Sequence, residues 1–207
     1  RSDQGDYKLD KTRSFPEWAK CASFPRNTEL QVVLTYTGPG RGNWVRGVTP
    51  TPEAITIGQR HSFIALPEAG YRPRDYDPRT GYFSTAWQDY AAPIAGTMHE
   101  QRIRRHRLVK KNSGAAPSAP VKPIVYYVDA GTPEPIRSAL LDGARWWTKA
   151  FEAAGFPNGY RVEILPADAD PMDVRYNVIQ WVHRASRGWS YGASVVDPRS
   201  GEILKGH

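Results

Sequence analysis

The sequence predicts an α+β chain: a β-rich N-terminal domain, then a mixed five-stranded sheet backed by one long helix. Three observations predict it. Short β-branched and aromatic runs recur between turn-rich stretches: ELQVVLTYT at 29–37, AITIGQRHSFIAL at 54–66 and IVYYVD at 124–129. Ile136, Leu140, Ala144, Trp147 and Phe151 keep helical spacing. NSGAAPSAPVKP at 112–123 is small, Pro-rich and carries one Lys, a linker composition. The expected division is a domain over 1–111, a linker over 112–123 and a second domain over 124–207.

In chain order, residues 1–28 are polar with scattered aromatics and read as irregular, wrapping onto the strand at 29–37. GPGRGN ends that strand, because Gly and Pro break the extended pattern. The run at 54–66 reads as one long bent strand, bulged at Gly58. Asp77-Pro78-Arg79-Thr80-Gly81 has the chemistry of a turn, Pro presetting φ and Gly allowing a positive one. Tyr82-Phe83 and Trp87 follow as a short aromatic strand. Beyond the linker, Thr132 is expected to cap a helix that opens with Pro in its first turn and ends at Gly155. Strands follow at 161–165, 177–182 and 193–197. Pro198-Arg199-Ser200-Gly201 then turns the chain into a fifth strand, EILKGH.

Composition narrows the function classes. Hydrophobic residues make up 40% of the chain, with seven Trp and eleven Tyr, enough to bury a core. The net charge of +7 reads as solubility rather than as a nucleic-acid surface. The basic run at 102–111 lacks interleaved aromatics and reads as a strand with one solvated face. No apolar run is long enough to span a bilayer. The single cysteine, Cys21, excludes an intrachain disulfide and a Cys-based zinc cluster. It reads as a small packed residue, with a zinc-blocking thiol as the alternative.

The nearest approach to a zinc-protease motif is His99-Glu100-Gln101-Arg102-Ile103, where H-E-x-x-H would need His in place of Ile103. Four arginines at 102, 104, 105 and 107 oppose a dication there. The histidines at 61, 99, 106, 183 and 207 show no ligand spacing. Asp77 and Asp197 each precede Pro-Arg and read as turn residues bonding the backbone.

Several stretches carry a resemblance to a known family. KPIVYYVDAGTPEPIRSALLDGARWWTKAFEAAGF at 122–156, DVRYNVIQWV at 173–182 and YGASVVDPRSGEILKGH at 191–207 resemble the N-terminal half of a metzincin catalytic domain. More narrowly, they look like a bacterial family of zinc-dependent metalloproteases with uncharacterised N-terminal domains. HSFIALPEAGYRPRDYDPRTGYFSTAWQDY at 61–90 and RIRRHRLVKK at 102–111 look like the domain preceding the protease in that family. The resemblance covers roughly positions 25–207, and VVDPRSGEIL with YDPRTGYF are its most specific phrases.

The resemblance implies a zinc-dependent endopeptidase as the parent protein, periplasmic or secreted, acting on a peptide or protein substrate. The zinc helix would follow the fifth strand, so the chain is expected to end before it. No catalytic residue, metal ligand or bound zinc is then expected within the chain, which alone would be inactive and would self-associate through uncovered apolar surface. The implied contribution to function is an edge strand over the cleft, Gly192, Ala193, Ser194, Val195 and Val196, pairing with extended substrate through backbone groups. Two alternatives stand beside it: a non-catalytic binding or interaction module, and a pro-region or lid formed by residues 1–111.

Overall fold

A computed structural model describes residues 2–183 and 189–207. The chain divides into two compact units, 1–65 and 66–207.

In the first unit, β3 (Asn27–Thr37) is the central strand. β1 (Lys8–Pro16) pairs antiparallel with its second half, and β2 (Ala22–Ser23) with its beginning. After the short helix α1 (Asn43–Val48), β4 (Ala54–Ile64) runs antiparallel along the whole opposite side of β3. Two sequence expectations change here. The polar segment before residue 28 forms β1 because the free edge of β3 supplies its hydrogen bonds, which propensity does not register. β4 keeps unbroken register with β3, Gly58 opposite Val33, so no bulge forms.

The inner residues of β3 are polar and bond to one another. Asn27 Nδ2 donates to Glu29 Oε1 at 2.7 Å, and Ser62 Oγ donates to Glu29 Oε2 at 2.6 Å. The Thr35 and Thr56 hydroxyls meet at 2.9 Å. Cys21 is half-buried at this sheet's margin, its Sγ 3.4 Å from the Gln31 amide, in a packing position.

The second unit begins with β5 (Ser84–Gln88) and β6 (His99–Ile103), an antiparallel pair. A parallel sheet follows: β7 (Ile124–Val128), helices α2 (Ile136–Arg145) and α3 (Trp147–Ala153), β8 (Tyr160–Ile164) and β9 (Asn177–Ile179). Its order is β8-β7-β9. Trp146 between the helices keeps right-handed helical dihedrals, φ −57° and ψ −29°, and its N–H reaches back to Gly143 O. The two helices are thus one rod with a tighter turn at the junction. The rod ends as the sequence predicts: Gly155 takes φ +84°, its N–H donates to Glu152 O, and the Phe156 N–H donates to Phe151 O. Its start differs. Thr132 is buried and caps nothing; instead the Glu134 carboxylate accepts the Ser138 hydroxyl at 2.8 Å and amide at 3.3 Å.

Ile124, Val128, Tyr160 and Val162 form the core of this sheet, with Leu140, Leu141, Ala144 and Phe151 of the rod packed against them. Phe151 stacks on Tyr160 at 5.2 Å, the rings 5° from parallel. Burying these side chains drives the rod onto the sheet.

The last two strands, β10 (Ser194–Val196) and β11 (Ile203–Gly206), pair antiparallel with each other. The chain is therefore α+β as expected, but its C-terminal strands do not form one continuous ladder. They split into a three-stranded parallel sheet and a two-stranded antiparallel one. Segment 112–123 folds back on its own approach: Lys111 N–H donates to Ala119 O, and Val121 N–H to Val109 O. No helix among the described residues is long and apolar enough to cross a membrane.

Candidate functional site

The β10–β11 hairpin is set by its turn. Asp197, 2% exposed, accepts the Arg199 amide at 2.9 Å on Oδ1 and the Arg199 side chain at 3.0 and 2.7 Å. Its carbonyl accepts the Ser200 and Gly201 amides. Gly201 has φ +78° and lies against the Ile103 carbonyl, where a side chain would not fit. The hydrogen bond from Arg199 holds the Asp197 carboxyl below its ordinary range. The same arrangement recurs at Asp77 with Arg79 and at Asp173 with Arg175. The turn chemistry read from Asp77 and Asp197 is what the structure shows.

The hairpin is anchored on the β9 side. Gly206 N–H donates to Asn177 Oδ1 at 2.8 Å, while Asn177 Nδ2 donates to Val125 O on β7, also at 2.8 Å. One amide side chain thus joins β7, β9 and β11. Gly206 also packs on the Tyr126 hydroxyl so closely that a Cβ would overlap it. Lys205 is buried, and its Nζ donates to the carbonyls of Pro171 and Asp173. Sequence reasoning misses Asn177, since an Asn opening NVIQWV looks like an ordinary strand edge.

β10 lies outside β11 and pairs with no other strand among the described residues. Gly192 and Ala193 are exposed; Ser194, Val195 and Val196 are half-buried. The bonds at the ends of the ladder fix its alternation: His207 N–H donates to Ala193 O, and Asp197 N–H to Glu202 O. Antiparallel pairing alternates bonded and non-bonded positions. Ser194, opposite Gly206, and Val196, opposite Ile203, occupy the non-bonded ones. Their amides and carbonyls therefore point away from β11, along the outer edge. The alternation also turns the Gly206 amide toward β9, where it meets Asn177. Among the described residues, Gly192–Val196 thus form a short edge with no further strand on it and outward peptide groups at Ser194 and Val196. Ala193 differs, its carbonyl being used inside the hairpin.

The other candidate positions are dispersed. His99-Glu100-Gln101-Arg102-Ile103 is strand β6, with His99 opposite Gln88 and Glu100 paired to Arg102 at 2.8 Å. His61 lies on β4 opposite Leu30. His183 lies beyond the end of β9, edge-on to Trp181. His106 is mostly buried against Tyr126, and burial lowers its pKa to about 4. Among the described residues no three His, Cys, Asp or Glu side chains gather to hold a metal ion. The basic run is partly neutralised within the fold. Arg102 pairs with Asp75 at 2.7 Å, and Arg107 pairs with the buried Glu202 at 2.8 Å.

A family model for a domain of unknown function, DUF5117, matches residues 1–111, more than half of the chain's 207 residues. The chain belongs to the DUF5117 family. Searches of curated proteins and of solved structures found no match. The DUF5117 match takes in all of the first unit and, in the second, β5, β6 and the strand-like run to Lys111. The open edge of β10 lies outside it.

Proposed function

We propose that this chain is part of a zinc-dependent endopeptidase acting outside the cytoplasm, and that β10 forms one wall of its substrate cleft. The observation that carries the reading is the outward pair of peptide groups at Ser194 and Val196, on an edge that no other strand among the described residues pairs with. An extended peptide can add to such an edge as a further strand, its amides and carbonyls meeting these two residues. Because the recognition uses backbone, it tolerates many substrate side chains.

Two further features support it. The resemblance of 122–207 to the N-terminal half of a metzincin catalytic domain calls for an antiparallel strand at the sheet edge. β10 is antiparallel to β11 in a two-stranded sheet, and the Asn177 side chain ties β11 to the three-stranded sheet β8-β7-β9. The described residues do not supply a zinc site, so no step of peptide hydrolysis is assigned to them. In this reading the metal and the general base belong to sequence beyond His207, and this chain binds and orients the substrate.

The test is the coding sequence downstream of His207, followed by assay of the longer protein. An H-E-x-x-H helix and chelator-sensitive cleavage of casein are expected. Ser194→Pro or Val196→Pro should then raise KM for casein, since each removes one outward N–H that the hairpin does not use. A longer protein without that helix, still binding extended peptides, would leave a non-catalytic binding module and overturn the protease reading.

A further inference from the structure

A cavity of about 590 Å³ in the second unit is lined by Tyr71, Arg72, Arg74, Arg105, Arg107 and Lys110, with Leu108 and Phe156 completing its wall. Among the described residues, five that line it are cationic and none is acidic. Of these, only Arg107 finds a carboxylate among the described residues, through a two-pronged pairing of its Nε and Nη2 with Glu202, both at 2.8 Å. Lys110 Nζ donates to the carbonyls of Gly114, Ala115 and Ala116, which satisfies its hydrogens but leaves its charge uncompensated. Arg72, Arg74 and Arg105 make no ion pair among the described residues.

Arg105 is held rather than free. Its guanidinium carbon sits 4.6 Å from the centre of the Tyr71 ring, and its Nη2 donates to Arg72 O at 2.5 Å. Its Nε is buried and has no hydrogen-bond partner among the described residues. Four like charges around one cavity repel one another, and an anion among them relieves the repulsion. Guanidinium groups match oxyanions in shape and donate charge-assisted bonds to them.

We propose that this cavity is a binding site for a multiply charged oxyanion of the phosphate class. Arg105, fixed on Tyr71, supplies the immobile donor. Arg72, Arg74 and Lys110 supply the remaining charge, and Tyr71 and Phe156 give the ligand's body an apolar wall. The site is independent of the peptide edge at β10 and stands or falls separately.

Isothermal titration of the full chain with inorganic phosphate, tripolyphosphate and citrate, at physiological ionic strength, tests this. Saturable one-site binding of a phosphate probe, tighter than citrate, is expected. The double variant Arg72→Gln/Arg74→Gln should weaken it by about tenfold or more, since two charge-assisted contacts are lost. No described side-chain bond ties either residue to the fold, so the double variant should keep the native circular dichroism spectrum. Arg145→Gln, on the helical rod, should bind as the parent chain does. Absence of saturable binding, tighter binding of citrate, or equal weakening by Arg145→Gln would each overturn the proposal.

Discussion

At the scale of single residues, three Asp-x-Arg turns carry much of the chain's local order. Each closes a turn through one carboxylate that accepts a backbone amide and clamps the arginine two positions on. Asp197 is the most consequential, because it fixes the hairpin that holds β10. Asp197→Ala is expected to cost about 1–3 kcal/mol, leaving the Arg199 amide and guanidinium without their acceptor. Chemical denaturation of the variant and the parent chain gives the difference. A second residue-scale prediction concerns His106. Its folded-state pKa, about 4, lies below the ordinary 6.5 because burial disfavours the imidazolium. The unfolded chain therefore binds the proton more readily. Stability is full above about pH 6.5 and falls as pH drops toward 4, by an amount on the order of 3 kcal/mol. Denaturation across that window should show the slope, and His106→Phe should flatten it. A slope unchanged in the variant would assign the pH dependence to other groups.

The turns at Asp77 and Asp197 were legible in the sequence because Asp-Pro-Arg carries its geometry locally; the one at Asp173, with Val174 in place of Pro, was not. Nor was the burial of His106, because it depends on Tyr126, twenty positions away on β7. The same division runs through the elements. The helical rod was readable from its apolar spacing and its terminal Gly155, since both are set within a turn or two of helix. Its start differs from the expected Thr132 cap, because the fold buries Thr132 and orients Glu134 toward Ser138. β1 was unreadable because a polar strand takes its stability from the neighbour it pairs with. The five short C-terminal runs were visible as strands, but the join through Asn177 rather than through a continuous ladder was not. That join gives an element-scale prediction. Gly206→Ala should destabilise the hairpin by about 1–3 kcal/mol, through overlap with the Tyr126 hydroxyl. Tyr126→Leu in the same chain should recover part of the loss. A Gly206→Ala chain as stable as the parent would mean the hairpin does not sit against β7 in this way.

For the whole molecule, the family match and the folding units do not end together. The match stops at residue 111, whereas the second compact unit begins at Leu66. Residues 66–111 belong structurally with the C-terminal strands. Arg105 N–H donates to Gly201 O, the Ile203 amide donates to Arg105 O, and Arg107 pairs with Glu202. A polypeptide of residues 66–207 is therefore expected to resist limited proteolysis, and one of residues 112–207 to be cut rapidly. Glu202→Gln in the full chain should cost about 2 kcal/mol, because Arg107 keeps its charge and loses its partner. A protease-resistant 112–207 piece would show that the C-terminal sheet needs no support from the DUF5117 segment.

The open edge of β10 is the claim on which the functional account rests. The most direct measurement is amide chemical-shift perturbation in the full chain during titration with an extended, uncharged peptide. The Ser194 and Val196 amides should shift saturably and gain protection from hydrogen exchange, while the Val195 amide, already used in the hairpin, moves little. A saturated titration in which neither Ser194 nor Val196 responds would contradict the account.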